Sequence, residues 1–348
     1  MDKDFWRNNT GFKGSWLTIW LNDLGAKVFG YSLSPDESIC LFHITNLHHI
    51  VLSTFDDICN FKSLKQATEK IKPDIVFHLA AQPLVRLSYQ EPIQTFSTNI
   101  IGTANILEIC KNIVSVKAVI NVTSDKCYEN KEWLWGYREN DPMGGHDPYS
   151  ASKGCSEILT NSYLKSYYLE QKIGLATCRA GNVIGGGDWS SDRLIPDILN
   201  GFRSNKSVKV RYPYAIRPWQ HVIEPLSGYI MLAEYLYKEP TRFSGAWNFG
   251  PRDEDAREVL WVVKKMAQIW GDGAQWEIDK FEHDHEANFL KLDTSKARQL
   301  LNWHPQWNLQ KSLNQIISWD NAWVNGEDMH KKCLEQISEY TNIEGIRK

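Results

Sequence analysis

Tyr149 and Lys153 stand four residues apart in the run Tyr-Ser-Ala-Ser-Lys, which sets a phenol and an ammonium on one face of a helix. A phenol with an ordinary pKa near ~10 becomes a base near neutrality only where positive charge stabilises the phenolate. Lys153, beside an oxidised nicotinamide, would supply that charge. An exposed tyrosine and a solvated lysine would show the same spacing. About 25 residues earlier, Thr123-Ser-Asp-Lys-Cys-Tyr128 brings a hydroxyl (Ser124), a carboxylate (Asp125) and an ammonium (Lys126) together. Such a set could polarise a substrate oxygen and protonate a leaving hydroxyl while a C–H proton is removed. Read blandly, it is a polar turn that closes a strand.

These residues need elements to hold them. Val116 to Val122 reads as a strand, and so do Ala26 to Leu33, Asp74 to Ala80 and Gly174 to Cys178, with helix-length segments between them. Strands alternating with helices predict an α/β fold with a doubly wound parallel sheet, and ligands bind such sheets at the carboxyl ends of the strands. Trp16, Leu17, Trp20, Leu21 and Leu24 repeat at helical spacing, with Gly25 as the expected cap. Gly11, Phe12 and Gly14 lie just before that helix, where backbone N–H groups and the helix dipole favour a pyrophosphate. A bare turn has the same composition.

No Lys or Arg falls between Val28 and Phe61, so no guanidinium is offered to a 2′-phosphate and NAD is expected rather than NADP. Asp57 could accept from an adenine amino group or be a plain loop acid. Leu79, Ala80 and Ala81 follow His78 with small side chains, as backbone passing close to a dinucleotide requires. Asn99 opens a helix and could be its N-cap. Only MDKDFWRNN precedes Thr10, with no β-branched run in it, so the first central strand is expected to be missing. That loss would expose ladder groups on two neighbours and weaken NAD binding.

After about Arg179 the texture shifts to Gly-rich sequence, shorter helices and many Trp, Arg and Pro, which predicts a second, smaller lobe. The expected division is a dinucleotide-binding domain over residues 1–180 and a substrate lobe over 181–348, with some chain crossing back. A net charge of −3 with no basic block argues against nucleic acid. No apolar stretch is long enough for a membrane span and no signal peptide is visible, so a cytoplasmic protein is expected. The seven cysteines lack a C-x-x-C pair and are expected to be reduced. His283-Asp-His285-Glu286 lacks a third ligand at metal spacing, so no metal is expected. The fifteen tryptophans fit core packing better than base stacking.

HLAAQ (78–82), TSDKCY (123–128), YSASK (149–153), RAGNVIGGGDW (179–189) and NFGP (248–251) resemble the extended short-chain dehydrogenase/reductase superfamily. Within it, GYREN, IRPWQHV and WNFGPRDEDA are similar to the CDP-glucose 4,6-dehydratase family. The resemblance runs from about Thr10 to the C-terminal region. It implies a lyase that holds NAD and converts CDP-glucose to CDP-4-dehydro-6-deoxy-glucose, with Tyr149 as base, Ser124 and Lys153 assisting, Asp125 as general acid and Lys126 where many related dehydratases carry Glu. It adds Ile58 to the cofactor residues and implies Gln82, Asn182, Arg193, Arg217 and His221 as substrate residues. A homodimer or homotetramer is expected by the same analogy. The family's opening strand of the type V-F-V-T-G and its first glycine are not found here, so the alternatives are a dehydratase or epimerase acting on another nucleotide sugar (dTDP-, GDP- or UDP-) and a cofactor-impaired, non-catalytic nucleotide-binding relative.

Overall fold

The computed structural model describes residues 4–7, 9–35, 39–281 and 289–344 of the chain. The main strands in chain order are β1 (Asp4–Arg7), β2 (Lys27–Ser32), β3 (Leu52–Phe55), β4 (Ile75–His78), β5 (Ala118–Val122) and β6 (Gly174–Arg179). Four short strands follow: β7 (Val183–Ile184), β8 (Val208–Val210), β9 (Ile216–Pro218) and β10 (Gln220–His221). Next comes β11 (Gly245–Asn248), which returns to pair parallel with β6, giving a seven-stranded sheet in the order β11-β6-β5-β4-β1-β2-β3. All its pairings are parallel. Strands covered on both faces are mostly apolar, and every residue of β4, β5 and β6 is buried, with the polar Asn121, Thr177 and Arg179 paired by side-chain hydrogen bonds.

The first central strand is therefore not missing. Asp4–Arg7 occupies the middle of the sheet, with Asp4 to Arg7 in register with Lys27 to Gly30 and Phe5 to Arg7 with Ile75 to Phe77. A short strand between two neighbours is held by two backbone ladders and needs no β-branched sequence, which is why propensity and periodicity do not register it.

Asn9 then fixes the turn out of β1. Its buried Nδ2 donates to Ser53 Oγ at 2.7 Å, its Oδ1 accepts from Ser32 Oγ at 3.2 Å, and its carbonyl accepts from Ser15 Oγ at 2.9 Å. The strand exit is thus tied to β2, β3 and the following helix. Gly30 makes this possible, since a Cβ there would lie 2.2 Å from Asn9 Oδ1.

Counting helices of eight residues or more, α1 is Phe12–Asp23, α2 Phe61–Ile71, α3 Gly102–Cys110, α4 Pro148–Tyr163 and α5 Leu194–Arg203. They are followed by α6 (Ile223–Lys238), α7 (Val259–Trp270), α8 (Leu309–Val324) and α9 (Met329–Glu344). Alternate strand residues face two separate cores. Ile75, Phe77 and Ile120 pack with α1 and α6, while Val76 and Val119 pack with α2 and α3. A third core is built by α5, α7, α8 and β8. Trp16, Trp20, Trp247, Trp303, Trp307 and Trp319 are all buried in the first core. The seven cysteines are free, and among the described residues no helix is long and apolar enough to cross a membrane.

Candidate active site

A cavity of about 460 Å³ opens where the carboxyl ends of the sheet strands meet α5, β8 and α7. Its sheet side carries the α1 turn, the loop after β5 and the start of α4; the facing side carries Asn182, Arg193 and Arg217.

At the end of β5 the chain leaves extended at Ser124, whose Oγ accepts from Lys126 N at 3.2 Å and donates to Asp125 Oδ1 at 3.0 Å. Asp125 is buried and, among the described residues, its Oδ2 has no hydrogen-bond partner. Burial raises its pKa against the pull of Lys126, Ser124, Arg217 and Lys13. Gly181 leaves that oxygen its place, because a Cβ there would come within 2.1 Å of it. The carboxyl is therefore biased toward the protonated form that a general acid needs.

Helix α4 starts abruptly because Asp147 caps it, accepting from Ser150 N at 2.9 Å, and Pro148 fixes the first turn. Tyr149 and Lys153 follow on the cavity face. Burial pushes the Tyr149 phenol up to about 12, opposed by the Ser124 hydroxyl beside it. It also pushes Lys153 down to about 8, opposed by Glu157. The Lys153 ammonium donates to Val122 O at 3.4 Å.

One turn below, Glu157 anchors the helix to the sheet. It accepts from Arg179 Nε at 2.9 Å and Nη2 at 2.7 Å, from Thr177 Oγ1 at 2.8 Å, and from Thr123 Oγ1. Residues flanking both reacting segments are thus tied to a single buried carboxylate.

The site holds one residue that motif reading passes over. Lys13, in the first turn of α1, lines the cavity, and burial together with Arg193 and Lys153 pushes its pKa down to about 8. Its signal in the sequence is a lone cation at the head of a helix whose next eight positions, Gly14 to Leu21, are all buried.

Of the other sequence-derived residues, Gly11, Phe12, Gly14, Leu79 and Ala81 line the same cavity. Asp57 is exposed and its Oδ1 accepts from Cys59 N at 2.8 Å, closing a turn. Ile58 is buried against Gly102, and Ala80 packs against the core on the α2–α3 face. Asn99 lies inside a helical run rather than at its start: Oδ1 accepts from Gln82 N at 2.9 Å, and Nδ2 donates to Gln82 O at 3.1 Å and Ser152 Oγ at 2.8 Å. It clamps the loop after β4 to α4. The Gln82 amide donates to Leu84 O and Thr95 Oγ1. His221 is buried between Trp16 and Trp307, its Nε2 is unpartnered, and burial pushes its ring down to about 3. The His283 to Glu286 segment lies outside the described residues.

A family model for GDP-mannose 4,6-dehydratase matches residues 9–316. The chain belongs to this family. Among its relatives, CDP-glucose 4,6-dehydratase of Salmonella typhimurium is 53% identical over 352 positions, covering 98% of both chains. A dTDP-glucose 4,6-dehydratase of Haemophilus influenzae is 27% identical, over 76% of this chain and 80% of that one. The fold recurs in a solved UDP-glucose 4-epimerase from Thermotoga maritima, with a TM-score of 0.80 at 19% identity over 93% of this chain and all of that one. It recurs again in a dTDP-glucose 4,6-dehydratase from Bacillus anthracis solved with NAD, with a TM-score of 0.78 at 17% identity over 95% and 100%.

Proposed function

We propose that the chain is an NAD-dependent CDP-glucose 4,6-dehydratase that forms CDP-4-dehydro-6-deoxy-glucose. The observation that carries this reading is two buried proton-transfer groups in one cavity: the Tyr149 phenol with the Ser124 hydroxyl beside it, and the Asp125 carboxyl, whose Oδ2 has no partner among the described residues. The Salmonella relative supports CDP-glucose as the substrate.

The residues at the α1 turn fit a dinucleotide. Gly11 is the N-cap with no side-chain cap, the first turn holds no acid, and nothing lies within 4 Å of where a Gly11 Cβ would sit. Backbone N–H groups of this turn, with the Lys13 ammonium, would hold the pyrophosphate. Bound NAD would supply a hydride acceptor for C4 and return the hydride at C6, leaving the cofactor unchanged overall. Tyr149 takes the C4 hydroxyl proton, with Ser124 holding the oxygen and Lys153 stabilising the phenolate. The resulting ketone acidifies the C5 proton, which is removed on the side of Lys126 and returned to C5 as the hydride reaches C6. Asp125 donates its proton to the departing C6 hydroxyl, which leaves as water. Asn182, Arg193 and Arg217 line the facing wall, where two guanidiniums suit a diphosphate.

The test is to incubate purified protein with CDP-glucose, with and without added NAD, and follow the 4-keto sugar by its absorbance in base. Product with CDP-glucose, and far less with dTDP-glucose or GDP-mannose, is expected; no product at saturating NAD overturns the reading. A homodimer or homotetramer belongs to the same proposal. Ile158 on α4 and the nearby Ile101, both more than half exposed, offer an apolar face for pairing, and sedimentation would measure it.

A further inference from the structure

The cavity has a second end. Leu194 and Asp197 in the first turn of α5, Val208 on β8, Arg211 just after it and Val259 at the head of α7 all line the cavity. These three elements pack on one another. Arg193, the residue that precedes α5, is near enough to the reacting groups to act electrostatically on Tyr149 and Lys13. Asp197 stands one helical turn, about 5.4 Å, further along the same helix. In a nucleotide sugar the nucleoside follows the diphosphate, so a diphosphate held at Arg193 and Arg217 carries its base toward Asp197.

Two carboxylates serve this end, and only one is committed. Asp192 accepts from Arg86 at 2.6 Å and from Arg211 at 3.0 Å. Among the described residues Asp197 has one ionic neighbour, Arg211 Nη2 at 3.9 Å, which is too long for a hydrogen bond. An acceptor with free lone pairs therefore sits beside a guanidinium donor, with Leu194, Val208 and Val259 supplying apolar wall. Cytosine presents an amino donor at N4 next to acceptors at N3 and O2; uracil and thymine present O4 and an N3–H instead. With the carboxylate placed at the C4 substituent, acceptor beside donor matches the first edge and is turned against O4 in the second.

We infer that Asp197 reads the exocyclic amino group of cytosine, with Arg211 donating to N3 or O2, and that this pair sets the base preference of the site. The inference rests on the CDP-glucose reading above and names the residue that enforces it.

Binding of CDP, UDP and GDP to the full chain, measured by calorimetry for the wild type, D197A and D197N, tests it without requiring turnover. The wild type should bind CDP about tenfold tighter than UDP, because a carboxylate that accepts from the N4 amino group of cytosine meets the O4 acceptor of uracil. D197A should lose about tenfold in CDP affinity with UDP little changed. D197N, whose amide can turn an N–H toward O4, should narrow or reverse the preference. With CDP-glucose, KM should rise in both variants while kcat stays within about twofold, since Asp197 is remote from the reacting bonds. Equal losses for CDP and UDP would place Asp197 on the ribose or in the fold and overturn the inference, as would a wild type that binds all three alike or prefers GDP. A CDP preference that depends on Asp197, in a protein that makes no 4-keto sugar from CDP-glucose, would instead sink the catalytic reading alone.

Discussion

Replacing Lys153 with methionine should remove catalysis and yet stabilise the fold at neutral pH. The side chain is 5% exposed, and its hydrogen bond to Val122 O is long, at 3.4 Å. The nearby Glu157 carboxylate does not depend on it, because Arg179, Thr177 and Thr123 already donate to that group. Burial lowers the lysine pKa from 10.5 to about 8, which corresponds to about 3 kcal/mol of lost hydration carried by the folded state below pH 8. Methionine has similar length and no charge to hydrate. Allowing about 1 kcal/mol for the lost hydrogen bond, the variant should gain about 2 kcal/mol at pH 7. Between pH 8 and 10.5 the folded wild type gives up a proton that the unfolded chain keeps, so wild-type stability rises across that window and the gap closes. Urea unfolding of cofactor-stripped protein at pH 7, 9 and 10.5 measures both effects. A variant no more stable than the wild type at pH 7, or a gap that does not change with pH, would refute the argument.

Gly30→Ala should cost about 1–3 kcal/mol by driving a methyl into the Asn9 amide, and Asn9→Ala should relieve that penalty in the double variant, as a cycle of urea midpoints would show. Arg179→Leu strands the Glu157 carboxylate in the interior and should cost about 3–5 kcal/mol, read by thermal unfolding; a neutral outcome would refute the anchoring role of the pair. Lys13→Met should weaken NAD binding about tenfold and flatten its salt dependence while leaving the fold intact, as titration calorimetry at two ionic strengths would report. Deleting residues 1–7 removes β1 and should abolish soluble expression, because both β2 and β4 would lose a ladder partner in mid-sheet.

Strands β2, β4, β5 and β6 are legible in the sequence because a strand covered on both faces is mostly apolar, and alternation with helices follows from the parallel connections. The candidate site residues are legible for a related reason: a strand exit and a helix start are what such a sheet brings to one edge, so Ser124 to Lys126 and Tyr149 to Lys153 line one cavity without any long-range signal. Strand β1 escapes because its stability lies in backbone ladders from two neighbours that no local window contains. Gln82, Asn99 and His221 show the opposite limit. A motif records that a polar residue occurs, not whether its amide or ring turns to the cavity or to the next loop, and here the Asn99 amide reaches Ser152 and Gln82.

The packing of α9 on α1 has a consequence for how this chain is made. Trp20 and Tyr340 meet edge to face at 6.0 Å, and Tyr340 also donates to the buried Glu224 at 2.7 Å. The apolar back of the helix that presents the dinucleotide turn is therefore covered by residues synthesised some 320 positions later. At roughly 5 to 20 residues per second, that surface waits about 16 to 64 s on the ribosome before its partner exists. Trp16 gains its cover earlier, from Gly186 and His221, so the surface left waiting is the Trp20 side of α1, a natural client for holding chaperones.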